Sequence, residues 1–79
     1  MFKVSMTNLG REHATESAAF EHAPDGDDLY SMAKKHLYSG GIEFFVKYGN
    51  PDEGEYPVAG SVLAGFHHVG EFRIEEVAR

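Results

Sequence analysis

The fold of this chain is decided by residues 25–37, which read DGDDLYSMAKKHL. The side chains that recur there at intervals of three and four residues are Leu29, Met32, Ala33, His36 and Leu37. Such intervals place side chains on one continuous face of an α-helix, because the helix makes one turn about every 3.6 residues. The stretch therefore predicts an amphipathic helix with one face directed at a hydrophobic core.

The residues at both ends of this stretch favour a helix with defined limits. Asp25 or Asp27 can accept hydrogen bonds from the free N–H groups of the first turn, and Asp28 places negative charge near the positive end of the helix dipole. Positive charge at residues 34–36 suits the last turns of a helix, and Gly40-Gly41 predicts its end.

Alternation of apolar and polar residues on both sides of the predicted helix indicates β-strands. The clearest case is Ile42–Tyr48, which is dense in β-branched and aromatic residues. We expect Arg11–Phe20 to be the hairpin partner of the first strand, with a helix as the alternative. Pro57 and Gly60 weaken regular pairing, so Tyr56–Ser61 is expected to be irregular or edge structure. The other predicted strands are Phe2–Thr7, Val62–His67 and Glu71–Val77, with a turn at Val69-Gly70.

The predicted element order β-β-α-β-β-β indicates an α+β fold, in which an antiparallel sheet carries one helix packed across one face. Residues 1–79 are expected to form a single small domain. One helix leaves the other face of the sheet uncovered, and Phe45 is expected there, so this face is a candidate partner surface or homodimer seam. The predicted core consists of Val4, Phe20, Leu29, Met32, Ala33, Leu37, Phe44, Val46, Phe72 and Ile74.

The composition excludes several classes of site. The chain has 79 residues, no cysteine and a formal net charge of −6. The lack of cysteine excludes disulfides, thiolate metal sites and cysteine nucleophiles, and it favours a reducing cytoplasm. No apolar run is long enough for a signal peptide or a membrane span, so we expect a cytoplasmic protein with no membrane partner. Only seven Lys and Arg residues are present, which argues against direct binding of nucleic acid.

Residues of the types that enzymes use in catalysis do not form a known pattern here. Ser61 lies in Val58–Val62, which lacks both glycines of a nucleophile elbow. Gly60, Gly65 and Gly70 are followed by neither Lys-Ser nor Lys-Thr and precede no predicted helix, which argues against a phosphate-binding loop. We therefore expect neither an enzyme nor a cofactor-binding protein.

Metal binding has two candidate signals, and both are incomplete. The acidic run at 25–28 is similar to the opening of a calcium loop, but Leu29, Tyr30 and His36 stand where such a loop needs a ligand or a glycine. The five histidines include the neighbours His67 and His68, which a strand directs to opposite faces. We expect no metal site, and we keep a pH-sensitive interface or a ligand-binding module based on the histidines as alternatives.

The distribution of acidic residues is the feature that most favours binding. They cluster at the start of the helix and in the polar loop 49–55, which is expected to project from the domain. One interpretation is a solvated surface that keeps a small protein soluble. The other is an interface for a basic surface on a partner protein. In that case the predicted partner-binding residues are Asp25, Asp27, Asp28, Phe45, Asp52, Glu53 and Glu55.

Three passages carry a resemblance to a known class of proteins: residues 18–29, which run from AAFE into DGDDL, the strand Ile42–Tyr48, and the closing Phe66-His67-His68. Together they resemble the small type I anti-CRISPR proteins of phages and mobile elements. The resemblance implies binding to a CRISPR surveillance complex in the host cytoplasm and blocking of its target DNA. The rival hypothesis is a structural or accessory subunit that forms a homodimer through the uncovered sheet face.

Overall fold

The computed structural model describes residues 1–10, 12–37 and 41–77. Within these ranges the chain forms a five-stranded antiparallel sheet and one α-helix, α1 (Gly26–Lys34), which lies between the second and third strands. The predicted antiparallel sheet with one helix is thereby confirmed. The strands are β1 (Phe2–Leu9), β2 (Ala14–Phe20), β3 (Ile42–Asn50), β4 (Glu55–Ala64) and β5 (His67–Glu76).

The strands are arranged in space as β2-β1-β5-β4-β3. The β1–β2 hairpin and the β3–β4–β5 meander are joined by pairing of β1 with β5, so the first and last strands of the chain meet in the middle of the sheet. The two edge strands are β2 and β3, and α1 connects them in sequence. Among the described residues, β3 therefore pairs with another strand on one side only.

The helix begins as its sequence predicts. Of the two candidate caps, Asp25 is the one used, and its side chain accepts a hydrogen bond from the backbone N–H of Asp28. The helix ends earlier than predicted, at Lys34, and Leu37 lies beyond it although its side chain is still buried. Of the predicted end at Gly40-Gly41, Gly40 lies outside the described residues.

The core lies between α1 and one face of the sheet. Strand register brings apolar side chains into rows across this face, with Val4 opposite Ile74 and Ile74 opposite Val58. Burial of this apolar surface is the main force that holds helix and sheet together. The buried apolar residues are Val4, Met6, Leu9, Leu29, Met32, Ala33, Leu37, Val58, Val62, Phe72 and Ile74.

Three predicted core residues differ from this set. Phe20 and Phe44 are only partly buried and pack against the margin of the core. The prediction for Val46 was wrong, because its side chain is 48% exposed on the edge strand β3. A strand at the sheet edge has a neighbour on one side only, so alternation of apolar residues does not by itself bury them.

The prediction that Tyr56–Ser61 is irregular or edge structure was also wrong. These residues belong to β4, which is continuous from Glu55 to Ala64 and lies between β3 and β5. Gly60 is an interior position at which a Cβ atom would collide with the backbone carbonyl of Phe45 and the ring of Phe72. The glycine therefore permits close approach of two strands and a ring, rather than interrupting the strand.

The predicted strand Val62–His67 and the predicted turn at Val69-Gly70 need a second correction. The chain turns at Gly65 and Phe66, whose φ angles are 57° and 70°, and Val69-Gly70 lies inside β5. Left-handed φ at both positions of a two-residue turn matches the twist of the flanking strands, so this turn closes the β4–β5 hairpin.

Candidate interaction surface

The β3–β4 hairpin ends in a short, ordered turn. Pro51–Glu53 form a 3-10 turn, and the Oδ1 atom of Asn50 accepts a hydrogen bond of 3.0 Å from the backbone N–H of Asp52. Gly54 closes the turn with a φ of 73°, and its N–H donates to the carbonyl of Pro51 at 3.2 Å. The left-handed backbone at this position suits glycine. These bonds hold the turn in one conformation.

This turn presents three acidic side chains, Asp52, Glu53 and Glu55, which we call the acidic tip. All three residues are exposed. Within residues 1–10, 12–37 and 41–77, none of their carboxylates takes part in a side-chain hydrogen bond or ion pair. The acidic tip therefore carries negative charge that the described part of the fold does not neutralise.

The acidic residues at the start of α1 are in a different situation. Asp25 and Asp28 form a reciprocal capping box, in which the carboxylate of each accepts a hydrogen bond from the backbone N–H of the other, at 3.0 and 3.1 Å. The backbone N–H of Asp25, and then His22 at 3.2 Å, hold the pKa of Asp28 below its ordinary value. These two carboxylates stabilise the start of the helix. Asp27 is exposed and, among the described residues, its carboxylate has no side-chain hydrogen bond or ion pair.

The two acidic clusters are associated with opposite halves of β3. Asp27 lines a shallow cleft together with Ile42–Phe45, in the first half of that strand. The acidic tip follows Asn50, at the end of the strand. A strand rises about 3.3 Å per residue, so the structure does not bring the two predicted clusters together into one patch.

Phe45 lies on the sheet face that α1 leaves uncovered, as predicted. Its cross-strand neighbour is Ser61, and both Phe45 and Tyr48 are more than half exposed, at 53% and 62%. The remainder of this face is mostly polar and includes an ion pair of 3.1 Å between Arg73 and Glu75. The homodimer through this face stays a prediction, and its exposed aromatic side chains are concentrated at the β3 margin.

Ser61 is the one buried polar side chain among the described residues whose oxygen lacks a hydrogen-bond partner. It is 3% exposed and lies on the uncovered face between Phe45 of β3 and Glu71 of β5. No base or orienting carboxylate is hydrogen-bonded to its hydroxyl, so the arrangement lacks the basic feature of an activated nucleophile.

Three of the histidines line a large open cleft of about 1130 Å³ at the opposite end of the sheet from the acidic tip. His36 in this cleft lies 2.8 Å from the carboxylate of Glu16, and His68 lies 3.9 Å from that of Glu71. The third is His13, on the β1–β2 hairpin. Among the residues described, no three His, Asp or Glu side chains are grouped closely enough to hold a metal ion.

The carboxylates of this cleft have partners in the fold. A hydrogen bond from His36, followed by the charge of Lys35, holds the pKa of Glu16 below its ordinary value. For Glu71 the largest cause of the lowered pKa is a hydrogen bond of 3.0 Å from the Asn8 side chain. Glu16 of β2 pairs with Lys35 and His36 after α1, and Glu71 of β5 pairs with Asn8 of β1. Among the described residues, both carboxylates therefore have side-chain partners, unlike those of the acidic tip.

Phe66 is an exposed residue that is not among the predicted partner-binding residues. It occupies the β4–β5 turn with a φ of 70° and is 96% exposed, the largest exposure among the large hydrophobic residues described. The signal that could have revealed it is Gly65, since glycine directly after an apolar run favours a two-residue hairpin turn. The turn lies at the end of β4 that is opposite the acidic tip.

Comparison of the chain with models of protein families, with curated proteins and with solved structures finds no match. The residues described include no helix of the length and apolar character needed to cross a membrane.

Proposed function

We propose that the chain is a non-catalytic protein-binding domain, and that its acidic tip contacts a Lys- and Arg-rich surface of a partner protein. The observation that carries the proposal is the contrast between the capping pair Asp25 and Asp28 and the acidic tip. Asp25 and Asp28 are engaged in the capping box, whereas Asp52, Glu53 and Glu55 are exposed and have no side-chain partner among the described residues.

The order of the turn supports this use of the acidic tip. Hydrogen bonds from Asp52 to Asn50 and from Gly54 to Pro51 fix the backbone before any partner arrives. A preformed turn loses less conformational freedom on binding than a flexible loop does. Negative charges at fixed positions also accelerate encounter with a positive surface, and they select against acidic partners.

The partner that we propose is a type I CRISPR surveillance complex, which the resemblance of the sequence to type I anti-CRISPR proteins suggests. A complex that holds DNA must present cationic side chains to the phosphates. Carboxylates of the acidic tip would occupy such positions in place of phosphates. Binding would then inhibit the complex by excluding its target DNA.

The test measures equilibrium binding of the chain to an immobilised, purified type I surveillance complex at low salt. Glu53→Gln/Glu55→Gln is compared with Glu12→Gln/Asp27→Asn, which removes the same number of charges from exposed positions away from the acidic tip. We expect the first variant to bind about tenfold more weakly, since two exposed ion pairs contribute about 1 kcal/mol together or somewhat more. The control variant should bind like the natural chain.

Three results would contradict the proposal. Equal weakening by both variants would show that net charge, and not the acidic tip, governs binding. An absence of binding to the complex at low salt would remove the proposed partner. Binding of the chain without displacement of target DNA would contradict the proposed inhibition, which a competition experiment measures.

A further inference from the structure

The outer edge of β3 is the most exposed apolar edge of the sheet. Among the described residues β3 pairs only with β4, so its other side leaves backbone N–H and C=O groups unpaired by the sheet. Phe45, Val46 and Tyr48 are 53%, 48% and 62% exposed along this strand. Such an edge favours pairing with another strand.

The second edge strand, β2, differs in character. Its side chains include Thr15, Glu16 and Ser17, and the residues after α1 contact it through ion pairs of Glu16 with His36 and Lys35. Its exposed positions carry no large apolar side chain. Only β3 therefore combines an open edge with large exposed apolar groups.

The sequence of β3 is self-complementary in charge. Residues 42–48 read IEFFVKY, with Phe45 at the centre. An antiparallel strand of the same sequence, paired about Phe45, places Glu43 opposite Lys47 on both sides of the centre. It also places Phe44 opposite Val46. Parallel pairing in register would instead place each charge next to its like, which destabilises a sheet.

The side chains required for these pairs lie on suitable faces. Glu43 and Phe45 are cross-strand neighbours of Leu63 and Ser61, so both lie on the uncovered face. The pKa of Glu71, which lies on that same face opposite Ser61, is lowered mainly by the hydrogen bond from Asn8 and to the smallest extent by the charge of Lys47. Register with β4 shifts only after Val46, so the strand is regular from Ile42 to the centre of the proposed pairing and one residue beyond.

We propose that β3 pairs with β3 of a second copy of this chain, antiparallel and centred on Phe45, so that two five-stranded sheets become one continuous sheet. The two-fold axis passes beside Phe45, whose ring contacts the partner's Phe45, and one Glu43–Lys47 ion pair lies on each side of it. Like any isologous contact, this one uses the same patch of both copies.

This dimer is independent of the proposed function. It uses the edge of the sheet rather than its uncovered face, and the acidic tip follows Asn50, beyond the paired segment. The two acidic tips of a dimer therefore lie beyond opposite ends of the paired strands. Because one strand pair buries less surface than a standard interface, the dimer should dissociate on dilution.

The test is the mass of the chain in solution over a wide range of concentrations, by sedimentation or light scattering. The chain is 8.7 kDa, so the dimer is 2 × 8.7 = 17.4 kDa. Glu43→Lys and Lys47→Glu should each abolish the dimer, because each places like charges opposite each other on both sides of the axis. An equimolar mixture of these two variants should recover the dimer mass, since every pair in the mixed dimer is again of opposite charge.

Two controls make the result specific. Glu12→Lys changes the net charge as Glu43→Lys does, at an exposed position far along the chain, and should leave the dimer intact. Circular dichroism should show that all variants fold, because positions 43 and 47 are exposed. A natural chain that stays at monomer mass at high concentration, or a mixture of the two variants that stays monomeric, would overturn the proposal. Absence of the dimer would not contradict the proposed binding of the surveillance complex by the acidic tip, because the binding experiment tests that proposal independently.

Discussion

Glu16 shows how a single side chain joins elements that are distant in sequence. It lies on the inner row of β2, opposite the fully buried Met6, where a carboxylate needs a cationic or hydrogen-bonding partner. The end of α1 provides two partners, with Nε2 of His36 at 2.8 Å and Nζ of Lys35 at 3.7 Å. The inward alternation of β2 could be predicted from the sequence, but the pairing depends on where the helix ends.

The contact predicts how stability depends on pH. The hydrogen bond from His36 holds the pKa of Glu16 below its ordinary value of 4.5, so the folded state favours the charged carboxylate. The resulting stabilisation is complete above the unfolded pKa and is lost as pH falls through the lower folded pKa. Glu16→Gln should therefore be less stable than the natural chain at neutral pH, and this difference should shrink as pH falls below 4.5.

Urea unfolding over a series of pH values measures this difference. Glu12→Gln is the control, because Glu12 is exposed near the same hairpin and has no partner of this kind among the described residues. Its unfolding midpoint should follow that of the natural chain at every pH. If the loss of stability in Glu16→Gln stayed constant or grew towards acid pH, the stabilising contact of the Glu16 carboxylate with His36 would be contradicted.

The continuity of strand β4 could not be predicted from its own residues. Gly60 was expected to weaken regular structure, yet the strand is continuous because the glycine admits the carbonyl of Phe45 and the ring of Phe72. Gly60→Ala should destabilise the fold by about 1–3 kcal/mol, the usual cost of overpacking a core. Denaturant unfolding measures the change, and the matched control is Gly26→Ala.

A methyl group at Gly26 meets no atom within 4 Å, and this position opens α1. The control should therefore be neutral or more stable by up to about 1 kcal/mol, because alanine has the higher helix propensity. If both substitutions had the same effect on stability, the role of Gly60 in allowing β3 to approach β4 closely would be contradicted.

The start of α1 provides the third prediction. The Asp25 carboxylate accepts the N–H of Asp28 at 3.0 Å, so Asp25→Ala should cost about 0.5–2 kcal/mol in the free energy of unfolding. Asp27→Ala removes the same charge from the same turn without breaking a cap, and should cost less. Thermal unfolding compares the two variants, and an equal loss for both would show that charge near the helix end matters more than the capping bond.

The parts of the fold that the sequence predicted are those with local causes. The helix face and cap depend on neighbours within one or two turns, and alternation placed Phe45 outward correctly. The exposure of Val46 depends on β3 being an edge strand, which is a property of strand order. The turn at Gly65-Phe66 was missed because a phenylalanine stands in a left-handed conformation that usually belongs to Gly or Asn.

The candidate site was predictable to a similar extent. Loop 49–55 contains no large apolar side chain apart from that of proline, so the exposure of Asp52, Glu53 and Glu55 could be expected from the sequence. The engagement of Asp25 and Asp28 with each other was foreseen only as capping by one residue. That the two clusters lie along different halves of β3 follows from the path of α1 across the sheet, which no local pattern specifies.

Charge organises the molecule as a whole. The chain has thirteen acidic and seven basic residues, and several of the acidic side chains are paired with a histidine, a lysine or an arginine in the described structure. Among the residues that the structure describes, the acidic tip is exposed without such a partner. A small domain with a net charge of −6 and a fixed acidic projection is suited to rapid association with a basic surface.

The most direct test of this claim is the association rate of the chain with the type I surveillance complex as a function of salt concentration. The natural chain should associate more slowly as salt rises, because the Debye length falls to about 3 Å at 1 M. Glu53→Gln/Glu55→Gln should lose much of this salt dependence, and Glu12→Gln/Asp27→Asn should keep it. Equal salt dependence for the two variants, or a natural chain whose association rate ignores salt, would contradict the role of the acidic tip.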